Sequence, residues 1–304
     1  MLTRYDHHGA VWIDLERPTL EEVETLASEM SLGAFVEREL LSPTPKPRVD
    51  LLPTCIYAVL HFPSSRDTRG KLSTHEVDLV ITKNTVVTVH YESVPAILDF
   101  ASSFEASMLL KRASTSLHSG HLLFELSTRL YQSVEDELDS IEESVNGIEK
   151  SIFSEQTLSL VRPISELTRE VLNHKRIVAN QDEILRELEK AVSVLLGDEY
   201  RGFVSSMSSL QYRVSARAQM LLDALAELRD TNDALLSTRQ NEIMKNLTVV
   251  ASIMLPLSLV ASIFGMNTQH NPIVGSPIDF WIIVFGMALI AVCAILYFKL
   301  KRWF

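Results

Sequence analysis

The chain has 304 residues, 28 Lys and Arg against 39 Asp and Glu, and a formal net charge of −11. That length allows about two domains, and the acidic balance argues against nucleic acid and suits a cationic partner. Two cysteines, Cys55 and Cys293, are too few and too far apart for a disulfide framework or a thiolate metal cluster, which fits a reducing compartment.

The opening stretch "MLTRYDHHGAVWIDLERP" has no apolar core of the kind a signal peptide needs. Residues 1–115 read as a mixed α/β domain. "AVWIDL" (10–15) is a strand candidate. In "RPTLEEVETLASEM", Thr19 with Glu22 three residues on forms a capping box that opens a helix. The Pro-punctuated "SPTPKPR" (42–48) is a linker. "TCIYAVLHF", "EVDLVIT" and "TVVTVHY" are rich in β-branched residues and read as strands, with a hairpin turn at Lys83-Asn84.

From about residue 119 the period changes. Leu123, Leu126, Leu130, Val134, Leu138, Ile141, Val145, Ile148 and Ile152 recur at three- and four-residue steps, the pattern of a long amphipathic helix. Its other side carries Glu135, Asp136, Glu137, Asp139, Glu142, Glu143 and Glu149, either as a solvated face or as a surface that attracts cations. A second helix is expected from Pro163 to about Leu196, so that 116–199 is an acidic helical pair. "LLGDEY" breaks it. A third helix starts near Tyr200 and meets no Pro or Gly between Phe203 and Lys245, giving a stalk over 200–246 that runs straight into an apolar segment. Some 60 residues of helix span roughly 90 Å.

Leu247–Phe264 and Phe280–Phe298 are uncharged runs, each long enough at about 1.5 Å per residue to cross a bilayer. Arg239 and Lys245 precede the first span, and Lys299, Lys301 and Arg302 follow the second, whereas the loop 265–279 has no Lys or Arg. The positive-inside rule then puts both termini in the cytoplasm and the loop outside, with Trp281 and Trp303 near opposite interfaces. The expected architecture is an α+β membrane protein: a cytoplasmic α/β domain, a long helical stalk, two C-terminal transmembrane helices and a basic tail, 299–304.

At about 100° per residue, Asn241, Met244, Thr248, Ala251, Leu255, Ser258 and Ser262 share about a third of the first span's circumference, with Leu247 on its edge. Small and polar residues there suit either a pore wall or close helix packing. Bulky rings at Leu247 and Leu255 would close such a pore by dewetting. Pro256 frees the Ser252 carbonyl inside the span.

The stretch "STRQNEIMKNLTVVASIMLPLSLVASIFGMN" (237–267), followed by a second span and "KLKRW", resembles the CorA-type divalent metal ion transporter family. Weaker likeness extends through "VWIDLERPT" and "NTVVTVHYE". The resemblance implies a homopentamer in which the first spans line a central pore. Gly265, Met266 and Asn267 would form the ion-selective mouth, with the Asn267 amides holding an incoming ion through its waters. Lys299, Lys301 and Arg302 would form a basic collar at the cytoplasmic mouth. The family moves Mg²⁺ and Co²⁺ in channel-like fashion, so the implied partners are further copies of this chain, membrane lipid and the transported cation. The implied place is a prokaryotic inner or plasma membrane, with no cofactor.

The chain departs from the family pattern in two places. After Gly-Met-Asn comes Thr268-Gln269-His270-Asn271-Pro272, and Asp279 is the loop's one carboxylate. That leaves zinc or nickel transport, with or without proton coupling, as the alternative, although neither span carries a carboxylate for a proton relay. On the stalk, "FVSSMSSLQYR" (203–213) has no carboxylate, with Ser206 near the place where Mg²⁺-sensing relatives have an Asp; either other acids such as Asp198 or Glu199 do the sensing, or the protein is not closed by internal Mg²⁺ in that way. His7, His8 and His270 lack a second ligand at helical spacing, so they make poor metal ligands. A signalling or scaffold protein would need an outer sensor or an output domain. An enzyme would need a phosphate loop or nucleophile motif, and none is present.

Overall fold

The computed structural model describes residues 1–7, 9–64, 73–109, 118–152, 160–266 and 278–301. The chain divides into two compact units, Met1–Arg229 and Asp230–Phe304.

The first unit contains β1 (Leu2–His7), β2 (Ala10–Glu16), α1 (Leu20–Met30), α2 (Ala34–Glu39), β3 (Arg48–Leu51), β4 (Ile56–Ser64), β5 (Ser73–Ile81), β6 (Thr85–His90), α3 (Pro95–Leu109), α4 (Ser119–Ile152), α5 (Val161–Ala179) and α6 (Gln181–Leu195). It also holds the start of α7 (Arg201–Gly265). The strands form a six-stranded sheet in the order β1-β2-β6-β5-β4-β3. β2 runs parallel to β6, and the other neighbours are antiparallel.

Alternation along each strand splits the side chains between two covered faces. Ile13, Leu15, Tyr57, Val59, Val80, Val87 and Val89 pack with Val23 and Leu26 of α1, Val36 of α2 and Leu40 just after it. On the opposite face Trp12 stacks on Tyr5 at 4.6 Å and meets Phe100 of α3 edge-on at 4.8 Å. There Phe62 of β4 also meets Tyr131 of α4 at 5.5 Å. Two-sided burial explains why β4, β5 and β6 read as nearly continuous apolar runs.

The capping box forms as expected: the Glu22 amide donates to Thr19 Oγ1, and the Thr19 amide donates to Glu22. The Lys83-Asn84 hairpin also forms, with the Thr82 amide donating to the Thr85 carbonyl at 2.8 Å. β1 and β3 are the edge strands, and their sequences, LTRYDH and RVDL, lack the β-branched density that marked the central strands.

Every apolar residue of the α4 stripe, from Leu123 to Ile152, is buried. The helix expected over 163–196 is two helices, α5 and α6, joined at Asn180. The physical reason is Gln181, fully buried at the start of α6. Its Oε1 accepts from Tyr131 at 2.5 Å and its Nε2 donates to the His61 carbonyl at 2.5 Å. A polar side chain tied at once to α4 and β4 fixes where the helix must step. Gly197 stops α6 at φ 120° and ψ 159°, a conformation essentially confined to glycine.

In the second unit, α7 continues unbroken to Gly265, through Pro256, and α8 covers Asp279–Leu300. Both are long and apolar enough to cross a membrane.

Candidate ion-conduction site

Within the apolar part of α7 the less exposed residues, besides Ala251, are Lys245, Val249, Ile253, Leu257, Val260 and Phe264. These six recur at three- and four-residue steps and share one side of the helix. Asn241, Met244, Thr248, Leu255, Ser258 and Ser262 are exposed, and Ala251 is half-covered. At about 100° per residue their mean direction lies about 200° from the covered side. Leu247 and Leu255 are 60% and 69% exposed. The seven-residue face and its Leu247 edge are therefore opposite the side this chain covers by itself.

The Thr248 hydroxyl donates to the Met244 carbonyl at 2.7 Å, so its proton is spent on the helix while its oxygen can still accept. Gly265 ends α7, and the Met266 amide turns back to the Ile263 carbonyl at 3.4 Å. Asn267, His270 and the rest of the loop to Pro277 lie outside the described residues, as do His8, Arg302 and Trp303. Of the basic tail, Lys299 closes the last turn of α8, and Lys301 sits 5.7 Å from the Tyr297 ring.

The acidic side of α4 is neither simply solvated nor free to hold ions. Glu135 receives Arg213 of α7 through two hydrogen bonds, 2.6 and 3.1 Å. Arg217 of α7 pairs with Glu142 at 2.6 Å and also with Asp139. Glu137 meets His174 of α5 at 2.8 Å. Asp136, Glu143 and Glu149 remain exposed. On the stalk, the Ser206 hydroxyl donates to its own helix at Gly202. Asp198 accepts from Ser193. Among the described residues no group of three or more His, Cys, Asp or Glu is arranged to hold a metal ion.

Three buried ionisable groups escaped the sequence reading, Asp78, His90 and His174. Asp78 is fully buried on β5, and its Oδ2 accepts from Tyr57 at 2.8 Å and Tyr91 at 3.2 Å. Burial pushes its pKa up; the Tyr57 hydrogen bond opposes this, the Glu76 charge adds to it, and the result is about 8. His90 lies between the Glu92 carbonyl, 2.6 Å from Nδ1, and the Asp14 carboxylate, 3.4 Å from Nε2. Burial lowers its pKa, but those two hydrogen bonds and the Asp14 charge outweigh that and raise it. The one available signal was alternation: in Val77-Asp78-Leu79 the polar residue falls in a strand whose two faces are both covered.

A mixed-sheet unit whose last helix continues as an apolar span, followed by a second span and a basic end, defines a two-span membrane protein. The chain belongs to the CorA-like Mg²⁺ transporter family, whose sequence model matches residues 7–302. Members of this family carry ions and are not enzymes, so this protein is a divalent cation transporter. It is 22% identical to the cobalt/magnesium transport protein CorA of Thermotoga maritima, over 98% of this chain and 84% of that one. It is also 22% identical to the protein of the same description from Methanocaldococcus jannaschii, over 98% and 93%. The complete structure of the CorA magnesium transporter from Methanocaldococcus jannaschii superposes with a TM-score of 0.84 at 19% identity, covering 99% of this chain and 93% of that one.

Proposed function

We propose that the protein conducts Mg²⁺, and Co²⁺ with it, down the membrane potential through a pore lined by α7. The wall would be Asn241, Met244, Leu247, Thr248, Ala251, Leu255, Ser258 and Ser262. The observation that carries this reading is the face itself: uncharged, small or polar apart from Met244, Leu247 and Leu255, and opposite the side that the chain covers on its own. Two spans cannot enclose a channel, so copies of the chain must supply the rest of the wall, and family resemblance makes the number five.

Asn267, with Gly265 and Met266, stands at the outer mouth. Mg²⁺ loses its waters reluctantly and prefers oxygen. A ring of amide oxygens accepts hydrogen bonds from that hydration shell without gripping the metal so tightly that release stalls. Lys299, Lys301 and Arg302 form the collar at the cytoplasmic end, where both termini lie. A divalent ion gains about 4.6 kcal/mol per 100 mV, so no proton coupling is required.

The test is uptake into liposomes holding the purified protein, with Mg²⁺, Co²⁺, Ni²⁺ and Zn²⁺ compared under an imposed potential and under a pH gradient. Mg²⁺ entry that follows the potential is expected. Entry of Zn²⁺ alone, driven by the pH gradient, would overturn both the ion and the driving force.

A further inference from the structure

His174 of α5 is fully buried. Its Nδ1 lies 2.9 Å from the Glu170 carbonyl and its Nε2 2.8 Å from Glu137 Oε2 of α4. Both neighbours are acceptors. A neutral imidazole carries one N–H and can satisfy only one of them, while an imidazolium donates to both. The geometry therefore fits a charged ring sealed between two helices. We propose that His174 and Glu137 form a proton-dependent clasp, which binds α5 to α4 while the imidazole is protonated and loosens when the proton leaves.

The surroundings make this pair sensitive rather than merely structural. The ionisable groups acting on His174 are Glu137 from α4 and Glu170 from its own helix. Its neighbour Lys175 is turned to Gln219 of α7. Near the start of α6, Asp182 and Arg186 pair with each other at 2.9 Å, one turn apart. On the far side of Glu137 stands His75 of β5, which also feels Glu92 and His90. Burial lowers the His75 pKa, and the Glu92 and Glu137 charges do not restore it. For His174 burial also acts downward, but the hydrogen bonds to Glu137 and Glu170 and their charges outweigh it. Glu137 thus lies near one histidine whose pKa is raised and one whose pKa is lowered, and a small cavity of about 50 Å³ is lined by both His75 and Glu137. When His174 loses its proton, one ring nitrogen faces an acceptor with no hydrogen between them. The same α4 carries Glu135, Asp139 and Glu142 on Arg213 and Arg217 of α7. The clasp therefore acts on a helix that also grips α7, and it is independent of which ion the protein moves.

Hydrogen–deuterium exchange of the full chain in detergent tests it, read as protection of α5 amides after correction for intrinsic base catalysis. Between pH 6.5 and 8.5 wild-type α5 should lose about tenfold in protection, the difference between hydrogen bonds to charged and to neutral partners. Glu137→Gln keeps an acceptor for the ring but removes the charge, and should flatten that slope to less than about twofold. His174→Gln donates to Glu137 at every pH, and should flatten it as well. Asp78 titrates in all three proteins, so the difference between them belongs to the pair. A wild-type α5 whose protection does not change with pH, or a slope that persists in either variant, overturns the proposal.

Discussion

Asp78→Asn should stabilise the protein above neutral pH. Asp78 is fully buried, its Oδ2 holds two phenol hydrogen bonds, and its Oδ1 has no hydrogen-bond partner as an acceptor. A proton on Oδ1 turns that atom into a donor toward the Glu76 carboxylate, whose hydrogen bond contributes to the raised pKa. Asparagine imitates this protonated acid: its carbonyl accepts from Tyr57 and Tyr91, and its NH₂ faces Glu76. The folded pKa, about 8, lies above the unfolded value of about 3.9. Between those values the folded state binds more protons than the unfolded one, so wild-type stability falls as pH rises through the window and levels off above it.

The slope is at most about 1.4 kcal/mol per pH unit. Between pH 5.5 and 7.5 the variant should therefore gain roughly 2–3 kcal/mol on wild type. For a folded unit of this size that widens the gap between thermal midpoints by roughly 5–10 °C. Thermal melts of the full chain in detergent at pH 5.5, 6.5, 7.5 and 8.5, followed by near-ultraviolet circular dichroism, read it directly. A gap that stays constant with pH would show that Asp78 is ionised in the folded protein and would refute the argument. The two raised histidines, His90 and His174, add a loss of stability in the same direction as pH rises through their folded pKa values. Because both proteins share them, they cancel in the difference.

Asn267→Ala should abolish Mg²⁺ uptake into liposomes while the assembled particle keeps its elution volume; normal uptake by an assembled variant would remove the amide from the selective mouth. Leu138→Ala deletes a fully buried side chain from the α4 stripe and should cost about 2–5 kcal/mol in chemical denaturation. Gly197→Ala forces a Cβ onto a backbone at φ 120° and should cost about 1–3 kcal/mol, lowering the thermal midpoint without touching transport by the protein that remains folded.

The parts of the fold most legible in the sequence were those where one periodicity dominates. Leu123 to Ile152 declared α4 because every third or fourth residue had to be apolar to reach the core. β4, β5 and β6 declared themselves because burial on both faces leaves little room for polar residues. Thr19 and Glu22 are a local device that needs no tertiary context. The step at Asn180 was not legible, because its cause is a contact between Gln181 and residues 50 and 120 positions away in the chain. Asp78 and His174 were hidden for a related reason. A polar residue at a core position looks like an interruption of the pattern until its partners, Tyr57 and Tyr91 or Glu137, are seen beside it. The face of α7 was legible as an angle on a helix, and what the fold adds is that this angle points away from the side the chain covers for itself.

The acidic side of α4 shows how charge composition can mislead about binding. Seven carboxylates within one helix suggest a cation store, yet Glu135, Asp139 and Glu142 hold Arg213 and Arg217, and Glu137 holds His174. For Mg²⁺ to use Glu135, it would have to displace a guanidinium bound through two hydrogen bonds and shed its own waters as well. That leaves Asp136, Glu143 and Glu149, which are exposed. Asp136 and Glu143 are seven residues apart, about 10 Å along the helix axis. A single Mg²⁺ needs its oxygens at about 2.0–2.1 Å, so these two cannot share one ion. What remains of the acidic excess on α4 acts at a distance, as a field that raises the local concentration of hydrated cations, while the carboxylates closest to α7 serve to fasten one helix to another.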